Sequence, residues 1–243
     1  MGHFFRQLII LSALFTGLIA TAQGTFEGTL ENWPHGRAQI ILPTDSPVVI
    51  GKVEADGKVS ITLGEALAQR ISASREADDG SGIRLVRSTV ERAFYCRSDD
   101  VTSENGDLQL ERATTRGGFY VGNLEEEELH GQIRLASSQA FGNSFFQLGK
   151  KDFVTGHYIE FYFAEADASV HGTCKTPTYT LDGKDVFDII HEYTIDLKKG
   201  WNLVRVEVAE TYTDQEGNVR PLKMVMKTVR EVPVDTQFLF TAN

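Results

Sequence analysis

Histidines and carboxylates are the first residues to consider, because side chains of these types bind metal ions and transfer protons. Five histidines follow residue 22, namely His35, His130, His157, His171 and His191. His191-Glu192 begins like the H-E-x-x-H motif of zinc proteases, but the following Tyr193-Thr194-Ile195 supplies no second histidine. We therefore interpret His191 as a strand residue rather than a zinc ligand.

A metal site elsewhere in the chain would need three or four ligands that converge on one ion. His157 and His171 would meet if they lay on neighbouring strands. Glu160 or Asp167 would then complete the site. The spacing of these residues does not enforce such a meeting, so we predict no metal ligand and no cofactor.

Motifs for nucleophilic catalysis and for calcium binding are weak. Gly80-Ser81-Gly82 is too short to match G-x-S-x-G and lies in a polar stretch that is typical of a linker. Asp78-Asp79-Gly80 and residues 214–218 place oxygen ligands beside glycine, but neither has the spacing of a calcium loop. The sequence contains no P-loop and no dinucleotide motif. We therefore predict no catalytic residue and a chain that is not an enzyme.

Aromatic side chains offer a different kind of site, because a flat ring stacks on the flat face of a sugar. Trp33 lies in a turn at residues 32–36, and Trp201 opens a strand. Three tyrosines would extend a stacking platform, namely Tyr120, Tyr158 and Tyr162. We predict Trp33 and Trp201 as the ligand-stacking residues.

The chain is acidic, with 34 acidic against 24 basic residues and a net charge of −10. Because no cluster of lysine and arginine stands out, we expect neither nucleic acid nor an anionic membrane as a partner. Glu125-Glu126-Glu127-Glu128 is the densest charged run, and we interpret it as a solvated loop. An unknown protein or a glycan remains as the expected partner.

The first residues have the three parts of a cleavable export signal. Arg6 supplies a positive charge, residues 8–20 are almost wholly apolar, and Ala20-Thr21-Ala22 provides the cleavage site. The apolar run is shorter than the about 20 residues that a membrane span needs. We expect cleavage after Ala22, a mature chain without a lipid anchor or membrane insertion, and a periplasmic or extracellular location.

Two cysteines, Cys96 and Cys174, are present in the whole sequence. In an oxidising compartment an even pair is most simply interpreted as one disulfide. Two separately buried thiols are the alternative, since free cysteine is common in protein cores. We predict the bond between Cys96 and Cys174.

Apolar and polar residues alternate along most of the remaining sequence, which is the period of a β-strand. Asp56-Gly57 suits a tight hairpin turn, and residues 64–71 suit a short helix. We predict an all-β fold of antiparallel β-sandwiches. Its expected parts are a signal peptide at 1–22, a small β-sandwich module at 23–75, a linker or short irregular segment at 76–92 and a larger antiparallel β domain at 93–243.

Two N-terminal segments carry a family resemblance. Gly28-Thr29-Leu30-Glu31-Asn32-Trp33 and residues 53–61 resemble the small prealbumin-like or carboxypeptidase-regulatory-like β-sandwiches of exported bacterial proteins. Residues 164–174 and 197–202 are similar to segments of uncharacterised secreted proteins. The resemblance implies a sandwich fold and an envelope location, and it carries over no functional residue.

Together these observations indicate an exported, non-enzymatic cell-envelope or secreted protein that acts through surface binding or structure. A carbohydrate-binding accessory module is one alternative, and an exposed flat face with Trp33 and Trp201 would favour it. A hydrolase of unrecognised type is another. A hydrolase would require a cleft in which a histidine and carboxylates have perturbed acidity.

Overall fold

The computed structural model describes residues 24–42, 47–76, 88–96, 100–114, 118–147, 152–179 and 186–242, without the side chains of residues 74–76. The predicted signal peptide and most of the predicted linker lie outside the described residues. The same holds for Gly80-Ser81-Gly82 and Asp78-Asp79-Gly80.

Fourteen strands and three helices are formed by these described residues. The strands are β1 (Gly24–Thr29), β2 (Ala38–Leu42), β3 (Val48–Val53), β4 (Lys58–Leu63), β5 (Val101–Glu104), β6 (Leu110–Arg112), β7 (Phe119–Asn123), β8 (Glu128–Ala136), β9 (Gly156–Ala164), β10 (Ala168–Tyr179), β11 (Val186–Leu197), β12 (Gly200–Thr213), β13 (Val219–Val229) and β14 (Gln237–Ala242). The helices are α1 (Glu65–Glu76), α2 (Val90–Ala93) and α3 (Gln139–Phe146). The helix predicted at residues 64–71 is confirmed and extends further than expected.

Hydrogen bonds join the strands into one sheet with the order β1-β4-β3-β2-β7-β8-β9-β12-β13-β11-β10-β5. In addition, β14 pairs with β8 and β6 pairs with β9. The pairing is antiparallel except between β11 and β13, within the part of the chain that is described. The predicted all-β, mainly antiparallel fold is confirmed, whereas the division into β-sandwiches is not.

The turn between β3 and β4 shows why the sequence needs a glycine there. Gly57 has a φ of 83°, and its N–H donates to the carbonyl of Glu54 over 2.9 Å. A Cβ at this position would lie 2.4 Å from the carbonyl oxygen of Leu30. Both the left-handed backbone and the close approach favour glycine, so the predicted hairpin turn is confirmed.

A first hydrophobic core lies under β1–β4 and β7–β8. Ile40, Ile61 and Leu63 are fully buried in it, and α1 adds Leu67. Phe161 of β9 belongs to the same core, and β2 pairs directly with β7. The sheet and this core therefore continue from the predicted module at 23–75 into the predicted domain at 93–243, and their separate folding stays a prediction.

The strand β9 separates this core from a second one, because alternate side chains of a strand point to opposite faces. Ile159 and Phe161 belong to the first core. Tyr158, Tyr162 and Ala164 belong to the second core, which also receives residues of α2, α3 and β10–β13. The inner strand β9 is buried along almost its whole length for this reason.

The strands β10–β11 and β12–β13 form two long hairpins that share one end of the sheet. At that end lie the last residues of β10 and β12 and the first residues of β11 and β13. Every residue of β13 is partly exposed, although its neighbours in the sheet cover both of its edges. The hairpins thus extend beyond the second core and leave their sheet faces partly open to solvent.

The predicted disulfide is confirmed. Cys96 and Cys174 are bonded, with their Cα atoms 5.6 Å apart, which is within the ordinary range for a disulfide. Cys174 is buried in β10. Cys96 follows Val90 and Phe94, which are both buried in the second core. The bond therefore fastens the segment around α2 to the sheet.

Candidate functional site

The predicted stacking residue Trp33 lies in an aromatic cluster and not on a flat surface. Its indole N–H donates to the carbonyl of Gly36. Its ring meets His35 and Phe240 edge-on, with centroids 4.9 and 5.1 Å away. His35 stacks in turn on His130, with 4.2 Å between the ring centroids. The indole is therefore held by neighbouring rings of its own chain.

The other predicted stacking residue, Trp201, lies elsewhere. Its indole N–H donates to the carbonyl of Gly64 over 3.0 Å, and its ring meets Phe163 at 5.5 Å. Trp33 lies beside Gly57, where an added Cβ would be 3.3 Å from the Trp33 Cβ. Since β4 runs between Gly57 and Gly64, the two indoles lie at opposite ends of this strand, roughly 20 Å apart. The structure does not bring them together.

The histidines considered as metal ligands are also separate. His157 is on β9 and His171 on β10, and three strands lie between them in the sheet. The Nε2 atom of His171 is 3.0 Å from Oδ1 of Asp196 on an exposed face. Among the described residues, no group of three or more histidine, cysteine, aspartate or glutamate side chains is placed to hold a metal ion.

His157 is buried at the junction of β9 with the loop before β14. Its Nε2 atom lies 2.8 Å from the Thr236 hydroxyl and 3.7 Å from an oxygen of Asp235. Burial lowers the pKa of His157, and the positive charge of Arg205 lowers it further. Lys227 acts in the same direction, whereas Asp235 and Glu207 oppose it. Because the ring is enclosed, it holds the loop in place and is not open to a substrate.

Acidification is expected to destabilise the protein through His157. Its pKa in the folded protein is below the ordinary value of 6.5, so the unfolded chain binds the proton more readily. The contribution to stability is therefore fully present above about pH 6.5 and is lost as the pH falls toward the folded-state pKa. Urea unfolding between about pH 7 and pH 5 should show a steeper loss of stability for the native protein than for His157→Gln.

His171→Gln is the matched control for this experiment, because it makes the same substitution at a histidine that is partly exposed. It should keep most of the steep pH dependence of the native protein. Equal slopes for the native protein and His157→Gln would contradict the assignment.

A buried polar cluster lies on the second-core face of β9. Glu160 accepts hydrogen bonds from the hydroxyls of Tyr158, over 3.1 Å, and of Tyr162. The guanidinium of Arg112 lies 3.6 Å from the same carboxylate and over the Tyr162 ring. Burial raises the pKa of both tyrosines, and the charge of Glu160 raises it further. Both hydroxyls stay protonated and donate to Glu160 inside the second core. Neither Tyr158 nor Tyr162 therefore belongs to a sugar-stacking platform on the surface.

Two open clefts of similar volume are formed by the described residues. One, of about 470 Å³, lies beside the start of β2 and the end of β3. Three of its charged groups pair with each other, since Glu54 is 3.3 Å from Arg37 and 2.6 Å from Lys52. The other, of about 460 Å³, lies at the shared end of the two long hairpins, and we call it the hairpin cleft.

The hairpin cleft combines aromatic and polar side chains. Its apolar lining consists of Tyr179, Phe187, Ile189, Tyr212 and Pro221. Its polar lining consists of Thr178, Thr213, Asp214, Gln215 and Arg220. The rings of Phe187 and Tyr212 meet at 4.6 Å across the intervening strand β13, and Tyr179 is 69% exposed. Ring faces and hydrogen-bonding groups are therefore presented together.

The polar side of the hairpin cleft is organised by Asp214. Its carboxylate accepts hydrogen bonds from the backbone N–H groups of Glu216 and Asn218, over 3.0 and 2.8 Å, and lies 3.6 Å from Arg220. Partial burial opposes ionisation, but the hydrogen bonds outweigh it and lower the pKa of Asp214. The turn at residues 214–218 therefore uses the Asp214 carboxylate for its own hydrogen bonds. The Asp214–Arg220 ion pair carries no net charge.

The sequence did not single out Phe187, Tyr179 or Tyr212. Each lies near the end of a strand, beside a turn or connection. The feature that could have indicated a binding residue in the sequence is an aromatic side chain in an otherwise polar stretch. Their meeting depends on the order of β11, β13 and β12 in the sheet. That order includes the parallel pair of β11 with β13, which local patterns do not predict.

Comparisons with protein-family models, curated proteins and solved structures find no match for this chain. None of the helices within the described ranges is long and apolar enough to cross a bilayer. The function of the chain is therefore inferred from the geometry of the site.

Proposed function

We propose that this chain is an exported, non-enzymatic protein that binds a neutral glycan in the hairpin cleft. The supporting observation is the placement of the Phe187 and Tyr212 rings beside the Asp214–Arg220 pair, in a cleft whose lining also includes Tyr179. The proposal keeps surface binding as the mode of action. The stacking residues then lie at the ends of the hairpins and are not Trp33 and Trp201.

Aromatic and polar groups have complementary roles in such a site. A sugar ring has apolar C–H faces, which stack on aromatic rings, and hydroxyl groups at its edge, which need hydrogen-bond partners. Arg220 offers charged donors, whose hydrogen bonds are stronger than neutral ones. The hydroxyls of Thr178 and Thr213 and the amide of Gln215 offer further hydrogen-bond partners in the lining. An open cleft also admits a chain that continues on both sides.

The charge around the cleft favours a neutral glycan over an acidic one. Arg220 is the cation of the lining and is paired with Asp214. Asp188 and Glu216, at the same hairpin ends, are exposed acids. An acidic sugar chain would meet this negative field with no unpaired cation in the described lining. The whole chain has a net charge of −10, which acts in the same direction.

Export is supported by separate features. The apolar run at residues 8–20 and Ala20-Thr21-Ala22 have the order of a cleavable signal. The disulfide between Cys96 and Cys174 suits an oxidising compartment. A periplasmic or extracellular glycan is the ligand that this location would offer.

Phe187→Ala and Tyr212→Ala are each expected to weaken glycan binding by about tenfold, since each removes a ring face worth roughly 1.4 kcal/mol. Isothermal titration with hexasaccharides of glucose, xylose and N-acetylglucosamine would measure this, with oligogalacturonate as the acidic comparator. Tyr95→Ala is the matched control. Tyr95 is 59% exposed, and it is the Tyr95 carbonyl, not the ring, that accepts a hydrogen bond from Tyr193.

The native protein should bind at least one neutral hexasaccharide and should return it uncleaved. Tyr95→Ala should bind within about twofold of the native protein. Binding that survives in both cleft variants, or a preference for oligogalacturonate, would contradict the proposal. Cleavage of the bound glycan would contradict its non-enzymatic part.

A further inference from the structure

Sulfur-containing side chains are gathered in one small part of the sheet. After residue 22 the sequence has four of them, namely Cys96, Cys174, Met224 and Met226. Cys174 on β10 is the register partner of His191 on β11, and His191 is in turn the register partner of Met224 on β13. Because register partners share a face of the sheet, a disulfide, an imidazole and a thioether follow each other across three neighbouring strands.

Met226 brings a second thioether to the same face. It comes two residues after Met224 on β13, and alternate residues of a strand point the same way. Neighbouring strands are about 4.8 Å apart, and residues i and i+2 of one strand are about 6.6 Å apart. His191, Met224 and Met226 therefore form a compact group, which we call the His–Met triangle.

The His–Met triangle lies at the rim of the second core. On the same face of β11, Tyr193 and Ile195 are buried in that core. The three residues of the triangle are partly exposed, and both methionines pack against the core. An ion can therefore reach the triangle from solvent, while the apolar core behind it limits the access of water, which strengthens the hold of a site on its metal.

The imidazole of His191 is available as a ligand. Its ring lies beside that of Tyr193, with 6.4 Å between the centroids, and its nitrogens have no hydrogen-bond partner within the described residues. Burial lowers the pKa of His191, and no neighbouring charge contributes to the shift. The ring is therefore neutral at pH 7, which is the form of histidine that binds metal ions.

The ligand types determine which metal ion fits. Thioether sulfur is a soft ligand that selects Cu(I), and imidazole also suits copper. Mg²⁺ and Ca²⁺ require oxygen ligands, which none of the three side chains provides. Both cysteines are held in the disulfide, so the sulfur ligands of this face are thioethers and not thiolates. We infer that the His–Met triangle is a binding site for Cu(I).

The methionine methyl groups report on this site directly, because Met224 and Met226 are the only methionines after residue 22. The mature protein, labelled with ¹³C-methyl methionine, would be titrated with silver nitrate in a buffer without chloride. Ag(I) is a soft ion with the charge of Cu(I), and it needs no reductant, so the disulfide stays intact. Both methyl signals should shift and should saturate at one equivalent of Ag(I). Zn(II) at the same concentration should leave them in place.

Variants of the three ligands test each contribution by isothermal titration with Ag(I). Met224→Leu and Met226→Leu each remove one sulfur and nearly keep the side-chain volume, so the fold should be retained. Each of them, and His191→Gln, should weaken binding by at least about tenfold. His171→Gln is the matched control for the histidine, because His171 is partly exposed on the neighbouring strand β10. It should bind Ag(I) within about twofold of the native protein.

Two results would overturn the inference. One is a titration in which neither methyl signal shifts with Ag(I). The other is equal affinity of the native protein and His191→Gln, or of the native protein and Met224→Leu/Met226→Leu, because the ion would then be bound elsewhere. Phe187→Ala and Tyr212→Ala leave all three ligands in place, so the outcome is independent of whether the hairpin cleft binds a glycan.

Discussion

Reduction of the Cys96–Cys174 disulfide is expected to lower the free energy of unfolding by about 4 to 5 kcal/mol, because the bond closes a long loop in the unfolded chain. The two cysteines are 78 positions apart in sequence. The loss is comparable to the whole net stability of many domains. Urea unfolding with and without a thiol reductant measures it, and the melting temperature should fall visibly.

The double variant Cys96→Ser/Cys174→Ser is the control, because the reductant should not change its stability. It should resemble the reduced native protein. The segment around α2 should loosen first, since the bond fastens it to β10 and its residues Val90 and Phe94 fill the second core. A reduced protein as stable as the oxidised one would show that the bond adds nothing to the fold.

Arg112→Met is expected to lower the free energy of unfolding by about 3 kcal/mol. The Glu160 side chain is 5% exposed, and Arg112 is the cation that lies 3.6 Å from it. Removing the cation leaves a buried carboxylate without a positive partner, which costs more than the pair contributes. This loss lies near the lower end of the about 3 to 5 kcal/mol that removal of one partner from a buried ion pair costs. The reason is that Arg112 is itself 34% exposed, so water partly takes the place of its guanidinium.

Two further variants separate the charge from the packing. Arg112→Met/Glu160→Gln should be more stable than Arg112→Met, because the neutral amide keeps an oxygen that accepts from one tyrosine hydroxyl and has an N–H group that donates to the other. Arg37→Met removes an exposed ion pair with Glu54 and should cost less than about 1 kcal/mol. Equal losses for Arg112→Met and Arg37→Met, measured by urea unfolding, would contradict the importance of the buried pair.

The sequence predicted local structure well where one residue type determines the backbone. Gly57 marked the hairpin between β3 and β4, and alternation marked the strands that flank the two cores. The pair Cys96 and Cys174 followed from composition alone. Each of these features depends on neighbours in sequence or on simple chemistry, and each is confirmed by the structure.

The order of strands could not be predicted in the same way. The apolar and aromatic residues of β9 are typical of a strand, but they do not show that its two faces belong to different cores. The parallel pairing of β11 with β13 joins strands that are distant in sequence. Helix α3 was also missed, although Ser138 caps it by accepting from the N–H of Phe141, because its apolar residues resemble those of a buried strand.

The same limit applies to the candidate site. Trp33 and Trp201 are conspicuous in the sequence, yet both indole N–H groups are used inside the protein. Phe187 and Tyr212 attract no attention in sequence because each belongs to an ordinary strand. They become a candidate site only when β13 lies between their strands and their rings meet across it.

Nuclear magnetic resonance of the ¹⁵N-labelled protein tests the central claim most directly. In a titration with each neutral hexasaccharide, the backbone amide signals of Thr178, Phe187 and Thr213 should shift progressively and saturably. The indole N–H signals of Trp33 and Trp201 should stay in place, because both are held by backbone carbonyls away from the cleft. Shifts of the indole signals with unchanged hairpin signals, or no shifts with any of the sugars, would contradict a glycan site in the hairpin cleft.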